Sequence, residues 1–118
     1  MVKDNMLKTK SYEFALRIIK LYEHLKEKNV DYVLAKQVLR SGTSIGANVE
    51  EALGGQSKKD FSAKLYIAYK EARETNYWIR ILKDSNYLEL KLANSLIKDC
   101  EEIQKIIAKI QLKLKNKK

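Results

Sequence analysis

Residues 88–115 read LELKLANSLIKDCEEIQKIIAKIQLKLK, and within them Leu92, Leu96, Cys100, Ile103, Ile107, Ile110 and Leu114 follow one another at steps of 4, 4, 3, 4, 3 and 4. That spacing draws one face of an α-helix and excludes the alternation of a strand. The same pattern recurs upstream. Phe14, Ile18, Leu21 and Leu25 predict a helix over 11–28; Leu34, Val38, Ile45, Val49 and Ala52 predict a second over 31–53; Phe61, Leu65, Ala68, Ala72, Ile79 and Leu82 predict a third over 57–84, before the fourth at 88–115. Asp31 reads as an N-cap, Ser57-Lys58-Lys59-Asp60 as a capping box with Asp in place of Glu, and Gly54-Gly55 as a helix stop. Connections this short turn each helix back on its predecessor, so the expected architecture is all-α, an antiparallel up-down-up-down four-helix bundle of one domain. Lys113, Lys115, Lys117 and Lys118 are expected to fray into a solvated tail.

Composition agrees. The 118 residues contain no proline and four glycines, which removes the punctuation that sheets and turns need. A chain of this size buries about 65% of its unfolded surface and can hold a core without metal or disulfide staples. The lone Cys100 has no internal partner. No apolar run approaches the roughly 20 residues of a membrane helix, and residues 1–5 lack the apolar centre of a signal peptide, so a soluble, cytoplasmic protein without membrane contact is expected.

The most unusual stretch runs from Arg40 to Glu51. At 100° per residue Ser41, Ser44 and Asn48 fall on or beside the apolar stripe of the second helix, with Arg40 and Glu51 flanking it. Buried polar groups need partners, and Glu71, Glu74 and Thr75 are available on the third helix. An interhelical network of Arg40, Ser44, Asn48, Glu51 and Glu74 is expected, with the structural role of holding helix register. Gly42 and Gly46, four apart, allow close approach of another helix.

Catalytic patterns are thin. A di-iron bundle requires two Glu-x-x-His pairs, and His24 is the single histidine. Cys100 lies in an apolar stripe, where cysteine behaves as a small hydrophobe. No catalytic, metal or cofactor site is expected. One enzymatic alternative survives: Arg17 and His24, seven residues apart, resemble the arginine–histidine motif of HEPN-type ribonucleases, although Ile18 stands where that motif usually has a polar residue.

The formal charge of +9 is unevenly spread: 7 basic and 4 acidic residues in 1–30, 2 and 3 in 31–56, 7 and 4 in 57–85, 8 and 4 in 86–118. On the third helix Lys59, Tyr66, Lys70, Arg73, Tyr77 and Arg80 fall within a sector of about 80° opposite the core stripe. Cations interleaved with tyrosine rings attract polyanions and offer faces for unpaired bases, which makes RNA or single-stranded DNA the candidate partner. Lys91, Lys98, Lys105 and Lys109 make a second row on the fourth helix, read as a solvated face. Tyr12, Leu16, Ile19, Ile67, Trp78 and Ile81 lie off the main stripes, and such surplus apolar surface points to self-association.

Together the motifs Arg40-Ser41-x-x-Ser44-Ile45-x-x-Asn48-Val49-x-Glu51, Ser57-Lys58-Lys59-Asp60-Phe61 and Leu65-x-Ile67-Ala68-x-Lys70-Glu71-Ala72-x-Glu74-Thr75-x-Tyr77-Trp78 resemble the bacterial four-helix-bundle proteins of the 23S rRNA intervening-sequence family, over nearly the whole chain. That family is similar to the accessory protein of diversity-generating retroelements. The resemblance implies a homopentamer that binds nucleic acid and has no established enzymatic activity. Ala52 and Glu71 depart from the pattern, the first where many members have glycine, the second where other branches have a small polar residue. The expected function is a non-enzymatic homo-oligomer that binds nucleic acid; the alternatives are a structural or protein-interaction module and the HEPN-like ribonuclease.

Overall fold

The structure, a computed structural model, describes residues 2–116. Four helices, α1 (Val2–Glu27), α2 (Tyr32–Leu53), α3 (Lys58–Asp84) and α4 (Leu90–Asn116), form an elongated bundle of 49 × 21 × 20 Å. Each helix touches two neighbours: α2 lies between α1 and α3, α4 packs on α3, and α1 closes the ring against α4. The predicted stripes meet along the axis, where Phe14, Ile18, Ile45, Leu65, Ile79, Leu96 and Ile107 are among the fully enclosed side chains.

Three boundaries differ from the sequence expectation. Helix α1 begins at Val2, nine residues before Ser11. Leu7 precedes Phe14 by two turns and is buried with it, so the core stripe continues upstream, and Ser11 is an interior helical residue whose hydroxyl donates back to the Lys8 carbonyl at 3.2 Å. Helix α4 begins at Leu90, because Leu88 is needed in the preceding turn to plug the end of the core. Helix α4 also runs to Asn116, so Lys113 and Lys115 are helical and lie at the C-terminus, where the helix dipole favours cations. Lys117 and Lys118 lie outside the described residues.

Local chemistry closes the other ends. Asp31 accepts from the Val33 and Leu34 amides at 2.8 and 3.4 Å, and Ser57 accepts from the Asp60 amide at 3.1 Å. Helices α1 and α3 end alike: Asn29 and Asn86 adopt φ of 58° and 65°, and the 6→1 bonds Val30 N–H to Leu25 O and Tyr87 N–H to Leu82 O complete two Schellman motifs. Asparagine does here what glycine commonly does, since it tolerates the left-handed conformation better than most residues.

Gly42 and Gly46 serve packing inside the chain. A Cβ on Gly42 would lie 2.7 and 2.8 Å from the γ carbons of Ile18, and one on Gly46 would lie 3.2 Å from the Ser11 carbonyl. Their absence lets α1 press on α2. Across the α1–α4 seam the clips are polar: Arg17 pairs with Asp99 at 2.6 Å and with Ser95 at 3.1 Å, and Lys10 with Glu102 at 3.2 Å. Cys100 is enclosed, its sulfur 3.1 Å from the Ala72 carbonyl, and burial pushes its thiol up to about 12. It is the small buried hydrophobe that its place in the stripe implied.

Candidate nucleic-acid interface

Helix α3 turns Leu65, Ala68, Ala72 and Ile79 inward, and its 3.6-residue period sends the predicted stripe outward. Lys59, Tyr66, Lys70, Arg73, Tyr77 and Arg80 are all exposed on that one side, Tyr66 at 60% and Tyr77 at 48% of full accessibility. The Lys70 ammonium sits 5.7 Å above the Tyr66 ring and the Arg80 guanidinium 5.9 Å from that of Tyr77. Arg80 is further steadied by its Nε donating to Asn76 Oδ1 at 2.8 Å, and Tyr77 by the edge of Trp78 at 5.2 Å. Among the described residues the ion pairs use Lys8, Lys10, Arg17 and Arg40, so the stripe's four cations are not spent on carboxylates of their own chain. An exposed tyrosine with a cation against it offers a base a stacking face beside a phosphate ligand.

Of the five residues expected in the polar network, the fold joins Arg40 to Glu74 across the two helices, and Ser44, Asn48 and Glu51 take no part in that bridge. Arg40 bridges α2 to α3 through Glu71 at 3.2 Å and through a close contact with Glu74, and the Trp78 indole N–H donates to Glu74 at 3.0 Å. The Trp78 N–H and then Arg40 hold the Glu74 carboxyl below its usual value, and Glu74 raises the guanidinium in return. Asn48 instead donates to the Ser44 carbonyl at 2.9 Å within α2, and Glu51 points to solvent. Antiparallel pairing is the reason. Ser41 faces Thr75, so Asn48 and Glu51 lie about 10 and 15 Å further along α2, while Glu74 stays behind at the level of Ser41. The enclosed polar contact is one outside the expected network: the Ser41 and Thr75 hydroxyls meet at 2.9 Å, with Thr75 Oγ1 also 2.7 Å from the Glu71 carbonyl.

Arg17 and His24 share α1, about 10 Å apart along its axis, with the Arg17 guanidinium held by Asp99 and Ser95 on α4. Tyr12, Leu16 and Ile19 form an exposed apolar face on α1; Trp78 and Ile81 are half-buried on α3. Among the described residues no group of three or more His, Cys, Asp or Glu is placed to hold a metal ion, and no helix is long and apolar enough to cross a membrane. The lysine row on α4 is exposed throughout, and sequence reading left it unconnected to the α3 stripe.

The family model described as 23S rRNA-intervening sequence protein matches residues 3–109. A crystal structure at 1.70 Å of a protein with unknown function, from the S23 ribosomal protein family of Bacteroides thetaiotaomicron VPI-5482, superposes with a TM-score of 0.90 at 48% identity, covering 92% of this chain and 97% of that one. No curated protein matches.

Proposed function

The chain belongs to the 23S rRNA-intervening sequence protein family, and we propose that it is a non-enzymatic, self-assembling bundle that binds RNA or single-stranded DNA along the outer face of α3. One observation carries this reading: four cations that make no ion pair among the described residues and two exposed tyrosines, each tyrosine with a cation against it, share one side of one helix. Lys59, Lys70, Arg73 and Arg80 contact phosphates; Tyr66 and Tyr77 stack on bases. Self-association, with a homopentamer as the expected state, uses the apolar face of Tyr12, Leu16 and Ile19. The engagement of Arg17 with Asp99 and Ser95 favours this reading over a ribonuclease working through Arg17 and His24.

The test is a titration with single-stranded RNA, structured RNA and duplex DNA at two salt concentrations. Each phosphate neutralised on a single strand contributes about −0.7 to the slope of log affinity against log salt, so four contacts predict a loss of about 50-fold between 50 and 200 mM. Replacing two of the four cations should halve the slope. Tyr66→Ala and Tyr77→Ala should each cost about 1–3 kcal/mol on single strands and leave the slope unchanged. No salt-dependent binding by the wild-type protein refutes the proposal, and the interaction-module reading then takes its place; RNA cleavage lost in His24→Ala would establish the ribonuclease instead.

A further inference from the structure

Lys59, Tyr66, Arg73 and Arg80 of the α3 stripe and Lys105 of the α4 row are remote in sequence, but the fold brings them to the recesses between the two helices. A recess of about 540 Å³ is walled by Arg73, Asn76 and Arg80 on one side and by Glu101, Gln104 and Lys105 on the other. Through Tyr69 and Ala108 it continues into a second recess, of about 320 Å³, at Tyr66 and Lys115. Gln111 and Lys115 in turn lead into a third, of about 790 Å³, beside Lys58 and Lys59. Neighbouring recesses share lining residues and follow one another along the α3–α4 seam from the start of α3 to Arg80, about 33 Å at 1.5 Å per residue. Its floor is pinned by a reciprocal pair: Ser62 donates to Gln111 Oε1, and Gln111 Nε2 donates to the Ser62 carbonyl, both at 2.9 Å.

Resting on the reading of α3 above, we infer that this groove is the seat of one unpaired strand, and that Lys105 and Lys115 of α4 are phosphate ligands facing those of α3. A double helix is far broader than the roughly 8–10 Å that separate the axes of adjacent packed helices, so of the two it is the single strand that can settle between these walls. Cations line both walls, and among the described residues Glu101 is the one carboxylate on the lining. It stands with the amides of Asn76 and Gln104, whose donors and acceptors suit base edges, and its charge turns phosphates toward Arg73, Arg80 and Lys105. The Asn76 carbonyl is already taken by Arg80, so its amide hydrogens remain to be donated.

The test is fluorescence anisotropy with a labelled 12-nucleotide single-stranded RNA and a duplex DNA of equal length, with folding of each variant checked by circular dichroism. Lys105→Gln should weaken single-strand binding about fivefold at 100 mM salt and flatten the salt slope by up to about 0.7. Lys91→Gln, the same charge change on the same helix outside the groove lining, should change it less than twofold. Ala108→Leu fills the groove without altering charge; it should weaken single-strand binding severalfold and leave duplex binding unchanged. If Arg73→Gln weakens binding while Lys105→Gln merely matches Lys91→Gln, or if Ala108→Leu has no effect, the strand runs along α3 alone: the groove assignment is overturned and the α3 reading survives. Wild-type protein that binds no polyanion overturns both.

Discussion

Replacing Gly42 by alanine tests the packing that brings α1 and α2 together, and here two effects oppose each other. Alanine is better by about 1 kcal/mol in a helix interior. Against this, the new Cβ would stand 2.7 and 2.8 Å from the two γ carbons of Ile18 and 3.1 Å from its δ carbon. Ordinary carbon contacts are about 3.5–4.0 Å, so the Ile18 branch must retreat by close to 1 Å. Ile18 has no exposed surface to retreat into, and a β-branched side chain in a helix is confined to essentially one χ1 well, so relief requires moving the α1 backbone. That places the cost in the upper part of the roughly 1–3 kcal/mol range for overpacking. The net expectation is a destabilisation of about 1–2 kcal/mol, or a Tm lower by about 4–8 °C for a chain of this size. Urea denaturation followed by circular dichroism at fixed protein concentration measures it. In an Ile18→Ala background the obstructing carbons are gone, and the same change should stabilise by about 1 kcal/mol, a coupling of about 2–3 kcal/mol in the double-mutant cycle. An increase in Tm for Gly42→Ala alone, or equal effects in both backgrounds, refutes the reasoning.

Thr75→Val strips the enclosed Ser41 hydroxyl of its partner and should cost about 1–3 kcal/mol, whereas Glu51→Ala, at an exposed position, should stay within about 0.5 kcal/mol; chemical denaturation of both compares them directly. Because Trp78 and Arg40 lower the Glu74 pKa on folding, the stability this carboxylate adds is complete above the usual carboxylate range and is lost as pH falls through the lowered value. Trp78→Phe should therefore destabilise more at neutral pH than in acid, and a stability gap that is constant or grows toward about pH 3 would contradict the assignment. Leu16→Lys places charge in the exposed apolar face of α1 and should shift the mass seen by light scattering toward the monomer; an unchanged mass removes that face from the assembly contact.

The expected site divides along the same line as the expected fold. That Tyr66, Lys70, Arg73, Tyr77 and Arg80 share one exposed face was legible from residue spacing, because side-chain direction around a helix follows from position alone. That Asn48 and Glu51 would miss the polar groups of α3 was not legible, because a residue's angle on its own helix says nothing about which level of the neighbouring helix lies opposite. The start of α1 was missed for a related reason: the stripe was followed from Phe14 onward, and only the burial of Leu7 shows that it runs further upstream.

What this sequence determines unaided is everything set by contacts three and four residues apart. Four helices, their inward stripes and the caps at Asp31 and Ser57 depend on backbone hydrogen bonds and neighbours within a turn or two. What tertiary structure alone decided is register and juxtaposition. Ser41 opposite Thr75, Gly42 against Ile18, and Lys105 across the groove from Arg73 join residues 24 to 34 positions apart. Those pairings emerge when whole apolar faces are packed at once, since sliding one helix past its neighbour by a turn would keep every local signal and change every partner.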